Sequence, residues 1–377
     1  MLPSPHLKAH SISSPRIIFA NQLRALAVGL VVISHLCGLF WYGRDVVSAA
    51  TLAPSQPGPA PEWVALLLNG VPWNPGPLGV AIFFLISGFV IPFSLARLDR
   101  PQFIRARLLR IYPTYLVGLI LQLAVVYAAS VHWGHAFTLG ARKIIANAML
   151  LQGLAHVGSL DLVNWTLVVE LLFYAAAALI APWLRRGWVW PIMAGQVAGF
   201  ALSLACAAFA QAHPLSRWIA PMTTGSVYAL SLGFMGLGVV FHFHVRGLIS
   251  GARAAGAIAL GFALFWLGNT QGLPSGSADG VPENAAAALA LFTLSYVLRR
   301  HFRPWPLIDW LAGISFPLYL VHSLIGYTIL RLLMLGFGWS YGVSLLAALA
   351  VVGLIAQGLH MTVERWSIAL GHRRSPG

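Results

Sequence analysis

IIFANQLRALAVGLVVISHLCGLFW, residues Ile17–Trp41, contains no Asp or Glu and two ionisable side chains within its apolar run, Arg24 and His35. At about 1.5 Å of rise per residue, a helix of this length covers the roughly 30 Å hydrocarbon layer of a bilayer. The stretch before it is polar and rich in Pro and Ser, and no small-residue cleavage site follows, so it reads as a retained span rather than a removed leader. Outward from this segment the same pattern recurs at Leu78–Ala96, Ile111–Val131, Trp165–Leu184, Trp188–Ala210, Ser226–Phe243, Ala254–Thr270, Glu283–Leu298, Ile308–Leu333 and Tyr341–Val363. The expected fold is therefore all-α, a polytopic membrane protein of about ten transmembrane helices. It forms one transmembrane domain over 16–366, between flexible cytoplasmic tails at 1–15 and 367–377.

Composition excludes the alternatives. Of 377 residues, 59% are hydrophobic and only 8% charged, against roughly a quarter charged in soluble domains. The net charge of +14 would suggest nucleic acid as partner in a soluble protein, but topology accounts for it here, and no nucleic acid is expected. Two cysteines, Cys37 and Cys206, both lie in apolar segments and read as core packing, with no disulfide framework or thiolate metal site. His242 and His244 have paired ligand spacing but read as interfacial, and no metal is expected. Gly-rich phosphate loops and a GxSxG elbow are absent.

Ala141–Leu154 is apolar but short, a candidate span or an interfacial or re-entrant helix; the positive-inside rule arbitrates. If it does not cross, one side holds Lys8, Arg16, the cluster from Arg97 to Arg110, Arg185, Arg186, Arg246, Arg253, Arg299, Arg300, Arg303, Arg365, Arg373 and Arg374. The other keeps Arg44, Arg142, Lys143, Arg217 and Arg331 with the acidic Asp45, Glu62, Asp161, Asp279 and Glu283. Ten spans with both termini in the cytoplasm follow. The long segment Tyr42–Pro77 then lies outside, as a lid or acceptor surface, or as a solvated linker anchored by Trp63 and Trp73.

Ionisable side chains inside the hydrocarbon are costly unless paired or hydrated, which makes each a functional candidate. Arg24 and His35 are eleven residues apart. That is three helical turns plus about 20°, so both lie on one face, roughly 16 Å apart along the axis. They suit the two ends of one elongated ligand; the bland alternative is a snorkelling arginine and a hydrogen-bonded core histidine. Glu170 in NWTLVVELLFY lies at a depth matching His35, where a carboxylate beside the imidazole would orient it. Its alternative is a protonated, structurally bonded glutamate. His322 in ISFPLYLVH is a further cavity candidate. Arg107 and Arg110 lie one turn apart just before the third span, where paired guanidinium groups suit phosphate oxygens of a ligand or of lipid headgroups.

These residues together resemble the acyltransferase-3 family of bacterial membrane acyltransferases, the group that includes O-antigen and other polysaccharide O-acetylases. The resemblance covers nearly the whole chain. It rests on Arg24 and His35 in the first span, GVAIFFLISGF from Gly79, Arg107-x2-Arg110 followed by IYP, NWTLVVELLFY ending at Tyr174, and ISFPLYLVH ending at His322. It departs from the family at Asn21 and Gln22, where Asp-Gly is common, and at Ala81, where an acidic residue is frequent. The resemblance implies that His35 is the essential histidine, that Arg24 belongs to the same motif, and that Arg107 and Arg110 hold the acyl donor. It further implies an acyl-CoA donor substrate, acetyl-CoA being the leading case, with no permanently bound cofactor. The acceptor would be an extracytoplasmic glycan or glycolipid, and the location the bacterial inner membrane, in contact with its lipids.

The residue reading and the resemblance converge on one expected site. His35 and Glu170 are the catalytic pair, Arg24, Arg107 and Arg110 bind the donor, and Ser87, Trp165, Tyr319 and His322 line the cavity. The rival expectation is a transporter or flippase for an envelope saccharide or lipid, which would move its solute without consuming acyl-CoA.

Overall fold

The computed structural model describes residues 15–70, 72–272 and 280–372. Lys8, Arg373, Arg374 and Asp279 of the charge map, and most of the expected tails, lie outside them. Within the described residues the chain is helical throughout, without a strand, as a polytopic membrane protein requires, because a bilayer offers the backbone no alternative partners. Eight helices are long and apolar enough to cross a membrane, including Ile18–Tyr42, Pro75–Leu95, Arg100–His132, Ile219–Val245 and Ser315–Gly336.

All ten predicted segments are helical, with two departures in length. Trp165–Leu179 has 15 residues and breaks at Ile180 before a short helix, Ala181–Arg185, because Pro182 cannot supply the amide that would continue the ladder. Val281–Val297 has 17 residues and opens on Gly280 in the left-handed region. The expected Ile308–Leu333 span is likewise divided, into Pro306–Gly313 and Ser315–Arg331, the latter running on into a π-helical turn.

We number the elements that position the site. Helix α1 is Pro15–Ile33, continued by a π-helical stretch, Ser34–Leu39, and a last turn, Phe40–Tyr42. Helices α2 (Arg44–Thr51) and α3 (Glu62–Asn69) follow, then α4 (Pro75–Leu95), α5 (Arg100–His132), α6 (Ala141–Ala148) and α7 (Trp165–Leu179). Later in the chain come α8 (Trp190–Ala212), α9 (Ile219–Val245), α10 (Ser315–Arg331), α11 (Tyr341–Leu359) and α12 (Arg365–His372).

Helices α4, α9 and α10 form the buried centre, whereas α8 and α11 keep most of their surface toward lipid. The α4–α9 crossing depends on two glycines: a Cβ on Gly88 would stand 3.1 Å from the Gly238 Cα and collide with the Met235 carbonyl. Small residues at such a crossing let backbones approach in the absence of a hydrophobic driving force.

The bundle has an arginine end and a loop end. At the arginine end, Arg185 donates to the Leu95 and Leu98 carbonyls, Arg100 to Leu179, and Gln22 to Arg303. Helix α5 carries the arginine cluster as a continuous extension of its membrane span, capped by Asp99, whose Oδ1 accepts from the Gln102 amide at 2.8 Å. Residues 367–372, expected as tail, are instead the helix α12. Ser367 is fully buried, and Gly371 lies against Ala106 of α5.

At the loop end, α6 has eight residues, about 12 Å, too short to cross. The segment from Tyr42 is also not a solvated linker. Val47 and Val64 are completely buried and Trp63 stacks on Tyr341 with centroids 5.5 Å apart. The buried guanidinium of Arg331 donates to the carbonyls of Ala53 at 2.9 Å and Arg44 at 3.0 Å, which fixes the whole segment to the end of α10.

Candidate active site within the bundle

Two cavities lie end to end inside the bundle. The inner one is lined by Arg24, Ser87, Arg110, Glu170, Phe316 and Tyr319 among others. The outer one, the roomier of the two, is lined by Ser34, His35, Trp165, Asn269 and Tyr319, with mostly apolar neighbours. Val80, Phe84 and Tyr319 belong to both linings and form the common wall. The helical phase of Arg24 and His35 thus holds in three dimensions: one helix face presents the first to the inner cavity and the second to the outer.

His35 sits at the start of the π-helical stretch of α1, a local widening that recurs where side chains are aimed for function. Its Nδ1 is 2.6 Å from the Tyr327 hydroxyl, with the two rings stacked. The His322 ring stands edge-on to it, centroids 4.9 Å apart. His322 is wholly buried, and its Nδ1 faces the Leu318 and Tyr319 carbonyl oxygens at 3.1 and 2.9 Å. Because carbonyls only accept, that nitrogen carries the proton, and Nε2, buried without a partner, is left with its lone pair.

Glu170 is not beside the imidazole. It accepts from the Tyr174 hydroxyl and lines the inner cavity with Arg24 and Arg110. The expected matching depth fails with it: Glu170 lies on the arginine side of the Tyr319 wall, because the tilt and packing of one helix against another are not fixed by counting residues from the end of a span. The position next to His35 is occupied by Tyr327, which the sequence reading missed.

The two arginines of α5 also separate. Arg110 lines the inner cavity, whereas Arg107 is buried, donates to the Ser94 hydroxyl, and lies over the rings of Phe103 and Tyr174 at 5.4 and 5.7 Å. Tyr174 thus touches both Glu170 and Arg107 and ties the carboxylate to the arginine helix. Glu364, also unforeseen, is the other carboxylate acting on Arg24, and it holds the His360 Nδ1 at 2.6 Å.

Ser87 lines the inner cavity and Trp165 the outer one. Tyr319 serves both, and its hydroxyl is anchored at 2.7 Å to Thr166 and donates at 3.2 Å to the Val163 carbonyl. His322 lies behind His35 rather than on the cavity surface. His242, expected at the interface, is buried, its Nδ1 donating to the Phe89 carbonyl, and His244 pairs with Tyr296. Cys37 and Cys206 are buried and free, and no cluster of three metal-ligating side chains occurs among the described residues.

The loop joining α6 to α7 is built on a buried polar network. Asn164 bonds Tyr115 and Asn147, and Asp161 Oδ1 accepts from the Val163 and Asn164 amides and from the Ser159 hydroxyl. Burial pushes the Asp161 carboxyl up, and these bonds pull it back. The network holds Leu150, His156 and Leu162 at positive φ, fixing the wall from which Trp165 enters the outer cavity.

The site is thus a charged cavity and an imidazole-bearing one, adjoining inside a multi-pass helical bundle. The chain belongs to the acyltransferase-3 family, whose acyltransferase domain matches residues 17–357. It is similar to Nodulation protein 10 of Rhizobium leguminosarum bv. viciae, 26% identical over 314 residues, which cover 78% of this chain and 82% of that protein. It is also similar to Acyltransferase MdmB of Streptomyces mycarofaciens, 26% identical over 378 residues, which cover 92% and 94% of the two chains. No solved structure matches it.

Proposed function

We propose that this chain transfers an acyl group, acetyl in the leading case, from cytoplasmic acyl-CoA to a hydroxyl of an extracytoplasmic carbohydrate or glycolipid, across a bacterial inner membrane. The observation that carries the reading is that Arg24 and His35, on one face of α1, open into two cavities divided only by Val80, Phe84 and Tyr319. The arginine end is assigned to the cytoplasm because Lys and Arg accumulate there.

Phosphate oxygens of the donor would meet Arg110 and Arg24, with Arg107 and Tyr174 holding Glu170 in place behind them. The thioester would then reach His35 past Tyr319. With Tyr327 oxygen accepting from Nδ1–H, the Nε2 of His35 carries the lone pair and serves as general base. It takes the proton of the acceptor hydroxyl while that oxygen forms a bond to the thioester carbonyl carbon. The C–S bond breaks, and the departing thiolate takes the proton back from the imidazolium, giving the ester and free CoA thiol. The proton moves from acceptor hydroxyl to His35 to thiolate on one side of the wall, and the thiol end that withdraws past it is neutral.

The test is thiol release from acetyl-CoA added outside proteoliposomes that carry the chain, together with ester formation on envelope glycan enclosed in their lumen. Release and ester in equal amounts are expected. Glycan translocation without thiol release would establish the transporter instead.

A further inference from the structure

A third cavity, open at the loop end, adjoins the His35 chamber and shares Trp165 and Val227 with it. Its polar lining comes from Gln152, Ser159, Thr223, Thr224 and Tyr228, and its lining contains no carboxylate, imidazole, ammonium or guanidinium. Gln152 is only 3% exposed: its amide nitrogen donates to Asn164, and its amide oxygen is buried without a partner. The Tyr228 hydroxyl stands beside Gly153 and makes no hydrogen bond among the described residues. Thr224 gives its proton to the Ala220 carbonyl and keeps its lone pairs.

We infer that this vestibule is the acceptor subsite, and that it binds an uncharged sugar ring. The inference rests on the proposed acyl transfer for its role but on its own geometry for its ligand. An unpaired amide oxygen and a free phenol match the donors and acceptors of ring hydroxyls, and the Trp165 indole offers the apolar face of a pyranose a flat surface. The absence of lining charge disfavours phosphorylated or uronic acid residues, which would lose their hydration without gaining a counter-charge. Trp165, common to the vestibule and the outer cavity, would direct one hydroxyl of that sugar inward toward His35.

The experiment places a diazirine amino acid at Val157, an apolar residue of the same lining, in the full chain, expressed in its own cells so that the native acceptor is present. A second variant places it at Leu204, an exposed position on α8. After irradiation and purification, the peptides are read by mass spectrometry for glycosidic fragment ions. Hexose-series adducts at 157 and none at 204 are expected, falling about tenfold when Trp165→Ala is added, as loss of one aromatic contact predicts. Lipid adducts alone, or no adduct from folded protein, at 157 would overturn the vestibule. Sugar adducts in a chain that releases no CoA thiol would leave the vestibule standing and remove the transfer reaction. Normal transfer without sugar adducts would do the reverse.

Discussion

The inner cavity brings Arg24, Arg110 and Glu170 to its wall, whereas the outer cavity carries His35 with a few uncharged polar side chains among mostly apolar ones. The two differ in what they must exclude. A charged chamber recognises a charged ligand that arrives with its water, and paired guanidinium groups replace that water at phosphate oxygens. A less polar chamber around His35 would strengthen each remaining electrostatic contact there. The proposed division between donor recognition and chemistry rests on this contrast in polarity.

The comparison breaks most decisively at His35. His35→Ala should lower acyl transfer by about 10²–10⁴-fold, the range for a lost general base, while size-exclusion behaviour stays unchanged. A variant retaining transfer would move the chemistry out of the outer cavity. Arg110→Ala should raise the donor KM by roughly 10- to 100-fold, as loss of a charge-assisted hydrogen bond predicts, with less effect on kcat. Arg107→Ala, buried under aromatic rings, should lower Tm first. If Arg107 instead governed the donor KM, the inner cavity would be drawn in the wrong place. Tyr327→Phe should lower kcat by about tenfold and change the pH profile, with the donor KM intact.

The smallest effect lies in the loop that walls the outer cavity. Because burial raises the Asp161 carboxyl, the folded chain binds that proton more tightly than the unfolded one, so ionisation costs stability as pH climbs above the ordinary carboxylate value. Asp161→Asn keeps the accepting oxygen, carries no charge, and should flatten this pH dependence of Tm. Asp161→Ala strands the Val163 and Asn164 amides and should cost about 1–3 kcal/mol in thermal denaturation of the detergent-solubilised chain.

The spans were legible because hydropathy alone decides where a helix meets lipid. Arg24 and His35 were legible because both lie on one helix, where spacing fixes their angle. Glu170 was expected level with His35 and instead shares the cavity of Arg24 and Arg110, since its place relative to α1 depends on how the intervening helices tilt and pack. Tyr327 left no signal beyond a phenol within an apolar run. Arg331 resembled an ordinary span-terminal charge, because the carbonyls it holds, those of Arg44 and Ala53, are nearly three hundred residues earlier. For the same reason the segment after Tyr42 resembled a linker.

Val80, Phe84 and Tyr319 have one more consequence. A continuous aqueous shaft through the bundle would discharge any ion gradient across the membrane it spans. Two hydrocarbon side chains and a phenol tethered to Thr166 and Val163 stand where the two cavities meet, and a constriction of this composition would hold back hydrated ions. Widening it with Phe84→Ala should render proteoliposomes leaky to protons, read with an internal pH dye, whatever becomes of turnover.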